Sequence, residues 1–93
     1  MELGIVIGSV WSTRKEERLV GAKLMLVKPL NVLDEDADQM PLVAVDPIGA
    51  GIGETVIIVK GSTARATLMP NAPVDAGIVG IVDDKEVDSR YKK

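Results

Sequence analysis

No Cys, no His and no Phe occur among the 93 residues. Without thiols there are no disulfides and no cysteine nucleophile, and without imidazole there is no His-based proton relay and no zinc site of the usual thiolate or imidazole kind. Aromatic side chains are limited to Trp11 and Tyr91, too few for a groove that stacks successive bases. Positive charge is also short, with 11 Lys and Arg against 14 Asp and Glu, a net charge of −3. That balance weighs against a partner held mainly through phosphates. No basic leader opens the chain, and Gly4 and Gly8 interrupt Met1 to Trp11. That stretch reads as a strand, not a signal peptide or membrane span, so a soluble cytosolic protein with no membrane partner is expected; the lack of Cys fits such a compartment.

What remains is aliphatic: thirteen Val, eight Ile and eight Leu, side chains that pack well on pleated sheets. A chain of this length forms one domain with a thin core. Five stretches rich in Val, Ile or Leu are bounded by Gly, Pro, Asp or charged residues and predict strands over Glu2–Trp11, Leu19–Lys28, Leu42–Asp46, Thr55–Lys60 and Ile78–Asp83. Between the last two, Gly61 to Thr67 is too polar for a core strand, and Ser62 is placed to cap one helical turn before Pro70 and Pro73 stop it. Leu30 to Gln39 reads as a long loop, and Asp84 to Lys93 as a polar tail, helical or frayed, so that the barrel domain spans 1–83 and the tail 84–93.

A strand with one wet face alternates apolar and polar residues. These strands do not alternate. Leu24 and Leu26 lie opposite Met25 and Val27, and Ile57 and Val59 opposite Val56 and Ile58. Both faces are apolar, yet no amphipathic helix is long enough to cover one. The expected solution is a small closed barrel, one set of side chains inside and much of the other buried against further copies of the chain.

Several motifs are approached and not met. Asp34, Asp36 and Asp38 have the first spacing of a calcium loop, but Gln39 stands where Gly is needed and Val45 where a bidentate Glu is needed. Lys60-Gly61-Ser62-Thr63 has the letters of a phosphate loop in the wrong order, and Gly49, Gly51 and Gly53 lead into a strand where a dinucleotide fingerprint requires a helix. Asp46 to Glu54 therefore reads as a strand-to-strand corner. Arg14, Lys15 and Arg18 around Glu16 and Glu17 read as a solvated run. No catalytic, metal or cofactor set emerges, so no enzyme activity and no cofactor are expected.

The motifs in series resemble one family. Gly8-Ser9-Val10-Trp11-Ser12-Thr13-Arg14-Lys15, Leu19 to Leu24, Val43 to Glu54, Gly61-Ser62-Thr63-Ala64-Arg65 and Asp75 to Asp83 are similar to the EutN/CcmL-type vertex proteins of bacterial microcompartment shells. The resemblance implies an all-β, five-stranded barrel of oligonucleotide-fold (OB-like) type with a short helical turn. It implies a cyclic pentamer at the shell vertices, beside hexagonal facet proteins, in a structural, carboxysome-like role. A heterologous interface joins two different patches of the chain. On that ground Asp46, Gly49, Gly51, Gly53 and Glu54, with Gly61, Ser62, Ala64 and Arg65, are the expected interface residues, Glu54 and Arg65 being the candidate charged contacts. The alternatives are an OB-like module for single-stranded nucleic acid or a small ligand, which lacks the aromatics and the positive charge, and an enzyme or regulatory subunit, which lacks His and Cys.

Overall fold

The computed structural model describes residues 1–11, 17–35, 37–61, 64 and 74–91. The described strands are β1 (Glu2–Val10), β2 (Leu24–Pro29), β3 (Leu42–Val45), β4 (Thr55–Lys60) and β5 (Ala76–Val82), with a 3-10 turn at Glu17–Leu19 between β1 and β2 and another at Ser89–Tyr91 after β5. The strands close into a barrel in the order β1-β2-β3-β5-β4. All pairings are antiparallel except β3 with β5, which is parallel and registers at Val45 opposite Gly77. This is the small OB-like barrel expected.

Closure depends on β1 serving two neighbours. Glu2 to Ile5 pairs with β4, and Gly4 to Val10 pairs with β2. Where the two ladders overlap, a Cβ on Gly4 would lie 2.5 Å from Val27 Cγ1 and 3.2 Å from the Lys28 carbonyl oxygen, so glycine is what lets the strands approach. Just beyond, Val6 pairs with Val27 and Gly8 with Leu26, leaving Ile7 as an unmatched bulge residue. Val79 is left unmatched in the same way between Ile78 and Gly80. Such extra residues bend strands and increase their twist, as a tight barrel requires.

The interior follows the two-residue period. Val6, Met25, Val27, Ala44, Val56, Ile58, Ala76 and Ile78 form one buried cluster, completed by Ala50 from the corner after β3. Val6, Val27, Val56, Ile58 and Ile78 are fully buried, each stabilising the fold by about 1.5–3 kcal/mol before chain entropy is counted.

The outer face departs from expectation. Val45 pairs with Leu24 on that face, and these two join Val59, Ala64 and Val74, with Leu19, Ala22 and Val79, in a second cluster. Part of the second apolar face is therefore covered from within the chain, by the turn before β2 and by residues flanking the β4–β5 connection. Sister copies are not required for that part. Ile7, Val43 and Ile81 on the strands stay exposed.

Strand limits also shift. The second strand begins at Leu24 and not at Leu19, because Leu19 ends a 3-10 turn, its carbonyl accepts from Ala22 N at 2.9 Å, and Gly21 turns the chain at φ 87. The fifth begins at Ala76, since Ala76 and Gly77 extend the ladder opposite Lys60 and Val59. Leu30 to Gln39 is a loop with turns closed by Asp34 N to Asn31 O and Ala37 N to Asp34 O. In the tail, the 3-10 turn Ser89–Tyr91 is the helical element, and Lys85 pairs with Glu35 of that loop at 3.0 Å. Arg14 and Lys15 of the charged run, the cap Ser62, and Pro70 and Pro73 lie outside the described residues.

Candidate subunit interface

The corner between β3 and β4 is organised by one carboxylate. Pro47 fixes its own φ and turns the chain out of β3. Asp46, directly before it, has a side chain with no exposed surface. Its Oδ1 accepts from the amides of Ile48 at 3.1 Å and Gly49 at 2.9 Å, and its Oδ2 from the amide of Ala50 at 2.8 Å. Short polar side chains that bond the backbone ahead of them nucleate such turns. Lys23 Nζ stands 3.5 Å from Oδ2 and 3.4 Å from the Ala50 carbonyl oxygen, while the Lys23 carbonyl accepts from Asp46 N at 2.8 Å. The loop is thereby tied to the start of β2.

The second half of the corner is tied to β1. Gly53 N donates to the Val6 carbonyl at 2.7 Å, and Val6 N donates to the Glu54 carbonyl at 3.0 Å. Glu54 Oε1 accepts from Gly51 N at 2.6 Å, and Glu54 N donates to the Gly51 carbonyl at 3.1 Å. Positive φ at Gly49 (84) and Gly53 (92) puts both where a side chain would be strained. The corner expected for Asp46 to Glu54 is thus present, and its interior is pinned at Ala50 in the barrel cluster.

The candidate interface residues fall into three placements. Asp46 and Ala64 are buried within their own chain, Asp46 under the corner and Ala64 in the second cluster. Gly49, Gly51, Gly53, Glu54 and Gly61 are exposed. Gly61 turns the chain at φ 70, with its N–H donated to the Asp75 carbonyl at 2.7 Å and its carbonyl accepting from Ala64 N at 3.2 Å. Ser62 and Arg65 lie outside the described residues, so of the two candidate charged contacts only Glu54 is described, and its carboxylate already closes its own turn.

Other candidates come from apolar exposure. Ile48 and Ile52 project from the corner, Ile52 with 68% of its surface exposed, and Val43 projects from β3 with 44% exposed. A sequence signal existed for the isoleucines, since aliphatic side chains in a glycine-rich turn have no local purpose. Lys23 gave none, being tied to Asp46 only by the fold. Val43, Leu19, Leu24, Val45 and Val74, with Asp75 and Ala76, line a cleft of about 230 Å³ beside the parallel seam of β3 and β5. Among the described residues no group of three or more His, Cys, Asp or Glu side chains could hold a metal, and no helix is long and apolar enough to cross a membrane.

Comparison with known proteins agrees with this geometry. Residues 1–83 match the family described as ethanolamine utilisation protein EutN/carboxysome. The carboxysome shell vertex protein CcmL of Gloeobacter violaceus is 41% identical over 93 residues, covering 97% of this chain and 90% of the relative. The microcompartment shell vertex protein PduN of Salmonella typhimurium is 43% identical over 88 residues, covering 89% and 96%. Among solved structures, the GrpN pentameric microcompartment shell protein of Rhodospirillum rubrum superposes with a TM-score of 0.82 at 45% identity, covering 95% of this chain and 99% of that one. The chain therefore belongs to the EutN/CcmL family.

Proposed function

We propose that this chain is a structural protein of a bacterial microcompartment shell, forming homopentamers that cap the vertices of the polyhedron. The observation that carries the reading is apolar surface left over on a closed barrel. After the chain's own segments have covered one part of the outer face, Ile7, Val43 and Ile81 on the strands and Ile48 and Ile52 on the corner remain in water. Ile7 on β1 and Val43 on β3 lie on different sides of the barrel and so offer separate surfaces, and a head-to-tail contact between two different patches generates a ring when the rotation closes. The relatives' descriptions as vertex proteins, and of one solved relative as pentameric, support five as the closing number. Five-fold units let an otherwise flat hexagonal facet lattice close at its corners, so hexagonal facet proteins are the neighbouring partners.

The role is structural and not catalytic, and no cofactor takes part. Residues 1–83 carry it and 84–93 form an appended tail. Asp46, Gly49, Gly51, Gly53 and Glu54 act at the ring interface chiefly by fixing the shape of the corner, Gly61 and Ala64 by closing the turn after β4, and Ser62 and Arg65 complete the proposed interface set. Nucleic-acid binding has no observation in its favour, since Trp11 and Tyr91 are the only aromatic side chains in the chain.

Native mass spectrometry tests the reading. The expected species has about five times the 9.9 kDa mass of one chain and persists when residues 84–93 are removed. A protein that stays a single subunit at high concentration refutes it.

A further inference from the structure

We infer that Ile52 of one copy seats in the cleft beside the β3–β5 seam of the next copy. This rests on the ring reading above and adds to it the two surfaces that meet.

Ile52 stands between Gly51 and Gly53 with most of its surface exposed, and the loop that carries it is fixed on both sides. Asp46 holds three amides on the approach. The Gly51–Glu54 pair closes the tip, and Gly53 is bonded to Val6 on the exit. A side chain presented by so constrained a loop loses little conformational freedom on docking, which favours association.

The receiving cleft is lined by Leu19, Leu24, Val43, Val45 and Val74, together with Asp75 and Ala76, and has a volume of about 230 Å³. For scale, an engineered apolar cavity of about 150 Å³ admits benzene, so a branched aliphatic side chain fits. The concavity lies where β3 and β5 share the single registered pair Val45 and Gly77. Val43 on its wall is incompletely covered, as an open half-site would be.

The two features cannot satisfy each other within one molecule. The corner leaves β3 beside the seam, crosses the barrel with Ala50 in its core, and reaches β1 at Val6. In the strand order β1-β2-β3-β5-β4, β1 lies across the barrel from the β3–β5 seam. Knob and cleft therefore lie on different sides, so their union is heterologous and leaves each copy with one further knob and one further cleft, as a ring requires.

The chain contains no Cys, so a cysteine pair reports the contact without background. Mild oxidation of the double variant Ile52→Cys, Val43→Cys is expected to give a ladder on a denaturing non-reducing gel that ends at five copies. Each single variant should stay monomeric, because disulfides need Cα atoms within about 7 Å. Ile52→Asp, checked for folding by circular dichroism, should raise the concentration needed for ring formation by about tenfold or more, since it places a carboxylate among aliphatic side chains and beside the like charge of Asp75. Wild-type protein that is five-copy by native mass, with no ladder from the double variant or with undiminished assembly of Ile52→Asp, overturns the docking and leaves the ring standing. Cross-linked dimers from Ile52→Cys alone also overturn it. Wild-type protein that forms no five-copy species removes the ring reading itself.

Discussion

Replacing Asp46 by Ala removes the acceptor of three amides at once, and the structure indicates how much each matters. The amides of Ile48 and Gly49 belong to exposed residues, so water replaces the carboxylate there and each loss costs about 0.5–1 kcal/mol. The amide of Ala50 is different. Ala50 is 1% exposed and packs in the barrel cluster, so its N–H is left without a partner at about 1–3 kcal/mol. The total is about 3 kcal/mol, and with a urea dependence of about 1.5 kcal/mol per molar the unfolding midpoint falls by about 2 M. Lys23 supplies the control. Its ammonium is 3.5 Å from the carboxylate and its side chain half exposed, so solvent screens the pair and Lys23→Met should cost under about 1 kcal/mol. Equilibrium urea unfolding at one fixed subunit concentration measures both, because assembly stabilises the fold by mass action. Asp46→Ala unfolding at the wild-type midpoint, or Lys23→Met costing as much as Asp46→Ala, would refute the account in which the amides dominate.

Two glycines should respond unequally to the same change. Gly4→Ala forces a Cβ against Val27 and the Lys28 backbone and should lose about 1–3 kcal/mol by overpacking. At Gly80 the nearest atom to a Cβ is the terminal Cδ1 of Ile57, at 3.4 Å, so Gly80→Ala should be near neutral; equal thermal shifts for the two would contradict the close approach at Gly4. Gly53→Ala meets no atom within 4 Å but must hold φ near 92, so its cost, about 1–2 kcal/mol, should come from backbone strain alone, and Gly53→Asn should recover part of it in the same melting experiment. In the tail, the Arg90 guanidinium bonded to Asp88, helped by the Arg90 amide, holds the Asp88 carboxyl below its ordinary value. Its contribution is thus present above the unfolded value and lost as pH falls through the folded one. An NMR titration should show the depressed value, and Arg90→Ala should raise it; no change in Arg90→Ala would assign the shift elsewhere.

The barrel was largely legible because its signal is local. Aliphatic density bounded by Gly and Pro located five strands, and the failure of alternation in residues such as Met25, Leu26 and Val27 showed that both faces needed cover. Less legible was who covers them. Leu19, Ala22 and Val74 sit in connections, and nothing in their local pattern says that they fold back over Val45 and Val59. A contact between a connection and a strand distant in sequence has no period. The limits of β2 failed for a related reason: Leu19 to Lys23 is as apolar as a strand, but Gly21 at φ 87 turns the chain first.

In the corner, internal bonding and apolar exposure fall on different residues. Asp46, Glu54 and the glycines stand out in the sequence because they are polar or conformationally special, and each is occupied internally: Asp46 by three amides, Glu54 by Gly51, and Gly49 and Gly53 by positive φ. A group whose bonding capacity is spent within its own loop has little left for a neighbour. The residues free to make an intermolecular contact are the unremarkable ones that this framework holds out, Ile48 and Ile52. On this view the polar motif sets the stiffness of the corner and the isoleucines supply the adhesion. Asp46→Ala should then weaken assembly even though the Asp46 side chain is buried in its own chain, and Ile52→Ala should weaken assembly while leaving the urea midpoint of the isolated subunit unchanged. If Ile52→Ala shifted that midpoint as far as Asp46→Ala does, the division between framework and contact would be wrong.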